Sequence, residues 1–312
     1  DGDDLMRRKN DYRDAQKAAE LLREGKYTWT AMPEGPYAQL RQLHLTYQGL
    51  VANGARVKVQ ITTAIDQLFP EFTSVFKAVD GETALTILRT CPDPAQIAAQ
   101  SEAEFVTTIR QHHTGRRLMT KKVCALYRLA PTSVSVQAGT EAQVDNIYLL
   151  ARQLLFVHGQ RQWAEDQLVA AFAGFTESTY LLSIHGLGSV NAAALLADIG
   201  DIRHYSNCKQ LSKLAGVVPS ENRSADNASS YTPMSKHGRP ILRMVAHRAV
   251  VSLIRHNDVF KQYVQRLKER PAGEHPLRTR AAMGAAMNKL LRIVYALLSK
   301  RQMFDAKIAL AA

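Results

Sequence analysis

Two long helical patterns constrain this fold more than any other feature of the sequence. Apolar residues recur at three- and four-residue spacing from about Thr140 to Phe172, among them Val144, Ile147 and Leu154. A second helical pattern extends from Leu40 to about Leu68. Such spacing places apolar side chains along one side of a helix. Over these lengths it is typical of a coiled coil or a helical hairpin arm, although a bundle helix inside a single domain fits equally well.

Shorter elements flank these two patterns. Helical spacing predicts a helix from Asn10 to about Arg23. Residues 26–39 indicate a strand or an extended linker, because Thr, Tyr and Trp favour strands whereas Pro and Gly interrupt them. The sequence changes character near residues 174–180, after which glycine turns, short helices and basic residues are dense. We therefore predict a mainly α-helical protein whose domains comprise residues 1–39, 40–178 and 179–312.

The charge balance favours a polyanionic partner. The 312-residue chain has 40 Lys and Arg residues against 28 Asp and Glu residues, a formal net charge of +12. Such an excess attracts nucleic acid or an anionic surface. No apolar run approaches the roughly 18 residues that a membrane-spanning helix needs, so we expect no membrane partner. The three scattered cysteines fit a reducing cytosol.

The stretch IHGLGSVNAAALLADIG, residues 184–200, contains a two-glycine turn before a helix. Gly186 and Gly188 allow the backbone to turn tightly, and we expect Ser189 to cap the helix that follows. The free N–H groups and positive dipole end of such a helix attract an anion. This is a helix-hairpin-helix pattern, which binds DNA phosphates without reading base sequence. A plain helical turn with two glycines would look the same.

The stretch YTPMSKHGRPILRMVAHRAV, residues 231–250, places Ser235 in a glycine-containing loop before another helix. Pro240 suits the first helical position, because its missing N–H is harmless there. A phosphate at this loop would meet backbone N–H groups, Lys236 and Arg239. A serine hydroxyl is a poor nucleophile until a base or metal activates it. By itself, this stretch therefore favours a serine that only contacts phosphate or stabilises the loop.

The stretch KNDYRDAQ, residues 9–16, contains Asp11 and Asp14 at the start of the first predicted helix. Carboxylates three residues apart on a helix face the same way. Paired oxygen ligands suit Mg²⁺ and phosphoryl-transfer chemistry. Asp in a first helical turn is also favoured by the helix dipole without any metal, so both interpretations remain open.

Together and in this order, these stretches resemble a family of bacterial insertion-sequence transposases. That family combines an N-terminal RuvC-like DEDD domain with a C-terminal serine transposase domain, and it includes the Piv-type DNA invertases. The resemblance extends over nearly the whole chain. It is carried by KNDYRDA, the helical arm, IHGLGSVNAAALLADIGD, LAGVVPS, MSKHGRPILR and MNKLLRIVYALLSKRQMF. It implies an α/β RuvC-like (RNase H-like) remnant at 1–39, a coiled-coil arm at 40–178, and a serine domain with a helix-hairpin-helix at 179–312.

The resemblance also implies roles for individual residues. Asp11 and Asp14 match the last two acids of the DEDD set, which binds a divalent metal such as Mg²⁺. Ser235 matches the serine nucleophile that attacks a DNA phosphodiester and stays linked to it. The expected nucleic-acid contacts are Gly186, Gly188, Ser189, Lys236, Gly238, Arg239 and Arg243.

The partners implied by the resemblance are DNA, a structured guide RNA encoded beside the gene, and further copies of the chain. The helical arm would support a homodimer or homotetramer, and the two active domains would meet across subunits, in the bacterial cytoplasm at the nucleoid. The excess positive charge agrees with binding of DNA and RNA through phosphate contacts. Base pairing would then supply specificity, as in other RNA-guided systems.

The sequence departs from the family pattern at its beginning. A DEDD set also needs an Asp on a first strand and a Glu on a later strand, both upstream of Asp11. Asp1, Asp3 and Asp4 lie too close to Asp11, and outside any strand pattern, to supply them. We therefore expect a chain that lacks half of the metal set, through truncation or decay of the element, and that does not cleave DNA alone.

Two other functions remain open from the sequence. A non-catalytic helix-hairpin-helix protein would bind DNA in a salt-sensitive, sequence-tolerant way without responding to Mg²⁺. A metal-dependent junction nuclease would lose activity on Asp11→Asn and keep it on Ser235→Ala.

Overall fold

The computed structural model describes residues 11–25, 33–134, 140–219, 223–224, 227–228, 234–269 and 276–307. These residues form a mainly α-helical protein, which confirms the predicted fold class. The helices are α1 (Asp11–Arg23), α2 (Gly35–Leu68), α3 (Phe72–Val75), α4 (Glu82–Thr90), α5 (Pro94–Ala98), α6 (Glu102–His112), α7 (Thr120–Leu129), α8 (Thr140–Ala173), α9 (Glu177–Leu182), α10 (Ser189–Ile199), α11 (Cys208–Ala215), α12 (Pro240–His256), α13 (Asp258–Lys268) and α14 (Thr279–Lys300). Short 3-10 helices cover Ala130–Thr132 and Ile202–His204, and two antiparallel two-residue strands cover Arg223–Ser224 (β1) and Asn227–Ala228 (β2).

The two long helices α2 and α8 form an antiparallel hairpin. Each is 34 residues long, and they pack along each other. The start of α2, at Leu40, shares one hydrophobic core with the end of α8, at Phe172. The end of α2, at Leu68, shares a second core with the start of α8, at Ile147. The hairpin therefore connects the two cores of the protein.

The second core is completed by helices α3 to α7, which we call the tip bundle. Their buried apolar residues pack against the distal half of the hairpin. Asp93 caps the start of α5, where its side chain accepts a hydrogen bond from the N–H of Ala95. At α6, Ser101 and Glu104 form a reciprocal capping box.

The first core is built around α10. Every residue of this helix from Ala192 to Ile199 is buried, and α10 packs against α2, α8, α9 and α12. Its run of alanines allows the surrounding helices to approach closely. Helices α11 to α14 complete this core, with α12 and α14 packed on each other.

Three elements test the sequence predictions, and the first two differ from them. Residues 35–39, predicted as strand or linker, belong to α2, which starts with Pro36 in its first turn; residues 26–32 lie outside the described part of the chain. Helix α14 is long and apolar enough to cross a membrane, yet half of that stretch is buried, as in a core helix. Helix α1 forms as predicted, and all of its residues are exposed.

Candidate active site and nucleic-acid interface

The Ser235 turn, residues 234–239, is held against the end of α11 by main-chain hydrogen bonds. The N–H of Ser235 donates to the carbonyl oxygen of Val218 at 2.9 Å. The N–H of Lys236 donates to the carbonyl oxygen of Gly216 at 3.1 Å, and the N–H of Arg239 donates to that of Leu214 at 2.7 Å. Ser235 itself is partly exposed. The turn therefore fixes the backbone of the serine without sealing it in the apolar core.

Two glycines allow this close approach of the two backbones. Gly216 ends α11 in the left-handed conformation, with φ of 66°. A Cβ at Gly238, where φ is 149°, would lie 2.4 Å from the carbonyl oxygen of Leu214 and 2.8 Å from the nitrogen of Gly216. Both contacts are with backbone atoms, which cannot move aside. Gly238 therefore shapes the turn through the absence of a side chain.

Lys236 and His237 occupy the outer side of the turn. Both are exposed, and Lys236 has a left-handed φ of 57°. A non-glycine residue in this region is strained, typically by about 1–3 kcal/mol, and is retained only where the surrounding structure imposes it. The hydrogen bonds of the turn impose it here, so the backbone of a cationic residue is fixed next to the serine.

Arg239 and Arg243 bind the protein's own carbonyl groups. The Nη1 of Arg239 donates to the carbonyl oxygen of Asp198 at 2.6 Å. The Nη1 of Arg243 donates to the carbonyl oxygens of Ala215 at 3.0 Å and Lys236 at 3.1 Å. Burial lowers the pKa of the Arg239 guanidinium from its ordinary value. These contacts connect the turn to α10 and α11.

A buried polar pair, which no sequence motif predicted, lies beside this site. Asp198 at the end of α10 is 1 % exposed, and His44 on α2 is 0 % exposed. His44 Nδ1 and Asp198 Oδ2 are 3.6 Å apart, and among the described residues neither atom has a hydrogen-bond partner. The Nε2 of His44 lies 3.0 Å from Gln48 Nε2. In the sequence, the signal for this pair was a single acidic residue, Asp198, inside the apolar run AAALLADIG.

Burial shifts the two pKa values in opposite directions. It raises the pKa of Asp198 to about 6, an effect that the charges of Arg41 and Arg239 partly offset. It lowers the pKa of His44 to about 4, and the charges of Arg248 and Arg41 act in the same direction. At neutral pH the pair is therefore a carboxylate facing a neutral imidazole.

The Gly186 turn, residues 183–188, joins α9 to α10 and packs on the end of α12. A Cβ at Gly186, where φ is 89°, would lie 2.8 Å from the Cβ of His256. The Ser252 hydroxyl donates to the Gly186 carbonyl, and the Asn257 amide donates to the His185 carbonyl, both at 2.8 Å. The contacts therefore fix this turn through its carbonyl groups.

Gly188 and Ser189 occupy the start of α10. Gly188, not Ser189, takes the N-cap position, and no side chain caps the helix. The expectation that Ser189 caps α10 was therefore wrong, because the chain reaches the helix through a left-handed glycine with φ of 69°. Gly188 is exposed, so the first N–H groups of α10 lie at the protein surface.

Asp11 and Asp14 lie in the first turn of the exposed helix α1. Their spacing and exposure fit two oxygen ligands on one face. Within the described residues, however, no group of three or more His, Cys, Asp or Glu side chains is arranged to hold a metal. The pair is thus compatible with part of a metal site. The structure brings Ser235, Lys236, Gly238, Arg239 and Arg243 together, whereas Asp11 and Asp14 stay on α1.

Two family models match separate parts of the chain. The IS116/IS110/IS902 transposase family matches residues 178–265, which include Ser235 and the Gly186 turn. An IS110-type DEDD transposase model matches residues 2–70, which include Asp11 and Asp14.

Individual relatives agree with these matches. The chain is 27% identical over 228 residues, 69% of its length, to the protein named as a transposase for the mini-circle IS117 of Streptomyces coelicolor. It is 28% identical over 144 residues, 45% of its length, to the transposase for insertion sequence element IS1111A of Coxiella burnetii. It is 26% identical over 132 residues, 42% of its length, to the pilin gene-inverting protein of Moraxella bovis. These alignments cover 54%, 38% and 39% of the respective relatives, so the chain spans about half their length or less.

Proposed function

We propose that this chain is part of an insertion-sequence DNA recombinase of the IS110/IS116/IS902 transposase family and that its nucleophile is Ser235. The family matches over residues 178–265 and 2–70 support this proposal. One observation carries this assignment. Ser235 is a partly exposed serine on a backbone fixed by main-chain hydrogen bonds, beside the exposed Lys236 and four residues before Arg239, the N-cap of α12.

The proposed reaction is an attack of the Ser235 hydroxyl oxygen on the phosphorus of a DNA phosphodiester. A bond forms between the serine oxygen and phosphorus, and the bond from phosphorus to a deoxyribose oxygen breaks. The serine proton is transferred, through a base or solvent, to the departing oxygen. Attack by the freed deoxyribose hydroxyl of another strand on the serine phosphodiester would join strands and release Ser235.

Negative charge that develops on the phosphate oxygens would be stabilised by fixed positive groups near Ser235. Lys236 supplies an exposed ammonium group in a constrained backbone conformation. Helix α12 has no side-chain cap at its N-terminus, so its positive dipole end is available to an anion. Arg239 and Arg243 would act mainly by holding the turn, since each already donates to main-chain carbonyls.

We assign Asp11 and Asp14 to a divalent metal site, Mg²⁺ being the ion that such chemistry usually takes. When bound, this ion would polarise the attacked phosphate and ease departure of the leaving oxygen. The support is the DEDD family match over residues 2–70 and the shared face of the two carboxylates. The RuvC-like character of this segment belongs to the same proposal.

We also propose that the Gly186 turn binds DNA phosphate as a helix-hairpin-helix, with a structured guide RNA as a further partner. The uncapped, exposed start of α10 supports the first assignment. The net charge of +12 supports a chain that neutralises more than one nucleic acid.

A row of apolar side chains on α8 supports self-assembly through the helical arm. Leu149, Phe156 and Trp163 recur every seven residues and are 66%, 67% and 60% exposed. They lie opposite the α8 side that packs on α2, where a solitary hairpin would carry polar residues. We expect Phe156→Asp to shift the mass measured by light scattering toward the monomer, while Gln153→Asp at a neighbouring exposed position leaves it unchanged. Equal masses for both variants would argue against this interface.

The test of the nucleophile is the covalent intermediate. The chain, together with any residues that its gene encodes before Asp1, would be used, because a DEDD set needs two acids besides Asp11 and Asp14. It would be incubated with Mg²⁺, DNA from the flanks of its gene and RNA transcribed from those flanks, then resolved on a denaturing gel. We expect a protein–DNA adduct with the unmodified chain and with the control Ser206→Ala, which changes another exposed serine, and no adduct with Ser235→Ala.

Other outcomes separate the alternatives. An adduct that survives Ser235→Ala would remove this serine from the role. Strand cleavage that persists in Ser235→Ala and is lost in Asp11→Asn would identify a metal-dependent nuclease. Mg²⁺-independent binding without any strand cleavage would identify a non-catalytic DNA-binding protein.

A further inference from the structure

The tip bundle contains a long segment without any acidic residue. Residues 105–134 include no Asp or Glu, whereas their basic residues are Arg110, Arg116, Arg117, Lys121, Lys122 and Arg128. All six of these residues are exposed. Most of them fall in the last turn of α6, the connecting turn 113–119 and the first turn of α7, so they gather at one end of the bundle.

This end of the bundle is fixed by contacts with α4. The Thr114 hydroxyl donates to the Glu82 carboxylate at 2.6 Å. The Arg89 guanidinium donates to the carbonyl oxygen of His112, and the N–H of Met119 donates to the Thr83 hydroxyl at 3.3 Å. The connecting turn therefore has a defined conformation, and its basic side chains project from a structured surface.

The positive charges on this surface are not neutralised by neighbouring carboxylates. Among the described residues, Arg110, Arg116, Arg117 and Lys121 have no acidic partner within salt-bridge distance, which is 4.0 Å. Arg128 lies 3.9 Å from Glu102, at the opposite end of α6. Glu82, an acid in contact with the connecting turn, already accepts the Thr114 hydrogen bond.

Helix α7 adds a partial positive charge at the same end. Its N-cap residue, Met119, provides no side-chain hydrogen bond to the first N–H groups, so the helix dipole adds to the nearby cations. Lys122 has a separate packing role, since its ammonium lies 5.4 Å from the centre of the Phe76 ring.

We propose that this basic tip, defined as Arg110, Arg116, Arg117 and Lys121, binds the phosphodiester backbone of a nucleic acid. It is a second site, separate from the Ser235 turn. Leu40 lies in the first core and Leu68 in the second. Because an α-helix rises about 1.5 Å per residue, these two residues are about 40 Å apart along α2. A nucleic acid that occupies both sites would bridge this distance, and the tip would add affinity without reading base sequence. The assignment does not depend on whether Ser235 is the nucleophile.

Matched charge variants test this proposal. The tip variant is R116Q/R117Q/K121Q, which leaves Lys122 and its packing in place. The control R56Q/R152Q/R161Q removes the same number of exposed cations from the hairpin helices. Binding of a duplex DNA and, separately, of an RNA hairpin would be measured by fluorescence anisotropy between about 50 and about 200 mM salt, with circular dichroism to verify folding.

We expect the tip variant to bind at least one of the two probes about tenfold more weakly at the lower salt concentration. The slope of log affinity against log salt should fall by about 2–3 for three lost phosphate contacts. The control should change affinity less than about threefold. The affected probe identifies the source of the phosphates, duplex DNA or structured RNA.

Equal losses in the tip and control variants would reduce the effect to net charge and overturn the proposal, as would unchanged binding of both probes. Anionic vesicles that bind through the tip while both nucleic-acid probes remain unaffected would assign the surface to a membrane instead.

Discussion

Two glycine turns precede helices in the first core, and the structure uses them differently. The Ser235 turn leads into α12, and the Gly186 turn leads into α10. Arg239, at the start of α12, binds the carbonyl of Asp198 near the end of α10, whereas Gly186 contacts His256 at the end of α12. The two helices are therefore antiparallel, and the turns lie at opposite ends of the pair, about 25 Å apart over the 17 residues of α12.

The groups that hold each turn determine what it presents to solvent. At the Ser235 turn, arginine side chains and main-chain N–H groups hold the backbone, so a hydroxyl and a lysine remain on its outer side. At the Gly186 turn, the side chains of Ser252 and Asn257 donate to the carbonyls. The groups that this turn presents at the surface are therefore the N–H groups at the start of α10. In the proposed function, the first arrangement supports chemistry at phosphorus and the second binds a DNA phosphate. Similar sequence patterns thus present different groups to solvent.

The largest effect is expected for Gly238→Ala. The new Cβ would lie 2.4 Å from the carbonyl oxygen of Leu214, so the turn must move away from α11. We expect a loss of about 3 kcal/mol in the free energy of unfolding, from backbone strain and steric overlap, together with loss of the covalent adduct. Gly284→Ala is the control, because this α14 residue has open space around it. Similar urea midpoints for the two variants would contradict the described packing of the turn.

Gly186→Ala should separate the two turns. Its Cβ would lie 2.8 Å from the Cβ of His256, and we expect a loss of about 2 kcal/mol in unfolding free energy. Adduct formation at Ser235 should persist at a saturating DNA concentration and at temperatures where the variant is folded. Gly188→Ala has a similar positive φ but no atom within 4 Å, so its cost should be about 1 kcal/mol. A loss of adduct in a folded Gly186→Ala protein would show that the turns are coupled.

The buried pair beside the Ser235 turn predicts a pH dependence that single substitutions reveal. Burial raises the pKa of Asp198 from its ordinary value of 3.8 to about 6. Asp198 therefore stabilises the fold at pH values below 3.8, and this contribution is lost as the pH rises toward 6. Burial lowers the pKa of His44 from its ordinary value of 6.5 to about 4. His44 therefore stabilises the fold at pH values above 6.5, and this contribution is lost as the pH falls toward 4. The two effects oppose each other, so together they should leave stability nearly flat across this window.

Removing either partner should expose the slope of the other. We expect Asp198→Asn to lose about 3 kcal/mol of unfolding free energy between pH 6.5 and pH 4. We expect His44→Gln to lose a comparable amount as pH rises from 3.8 to 6. Urea unfolding at a series of pH values measures both slopes. Parallel pH profiles for the two variants would show that the pair does not titrate in this way.

The smallest effect is expected for Arg243→Lys. The Nη1 of the guanidinium donates to two carbonyls, those of Ala215 and Lys236. A lysine ammonium lies one bond closer to the backbone on a flexible stem, so it cannot hold both bonds as well. We expect a cost of about 1 kcal/mol and faster amide exchange at Lys236. Arg255→Lys, at the exposed far end of α12, should have no such effect. Unchanged exchange in both variants would assign Arg243 to another role.

Much of the local structure could be predicted from local signals. The spacing of apolar residues predicted α2 and α8, and Pro240 predicted the start of α12. The predictions failed where local propensity competes with packing. Residues 35–39 contain a glycine, a proline and a tyrosine, yet Tyr37 packs on Phe175 and donates to Glu177, contacts that stabilise the helix there.

The candidate site could be predicted only as a set of residue types. Ser235, Lys236, Asp11 and Asp14 could be identified from motifs, and their catalytic roles remain predictions. The pairing of His44 with Asp198 could not be predicted, because the two residues are 154 positions apart and belong to different apolar segments.

By itself, the sequence determined the helices, the net charge and the position of each glycine, since these depend on neighbouring residues and on composition. Tertiary structure alone decided which arginines bind carbonyls, which polar groups are buried, and which serine stays exposed on a constrained turn. The physical reason is that hydrogen bonds and desolvation depend on distances between segments remote in the chain. Those distances exist only once the hairpin and its two cores are packed.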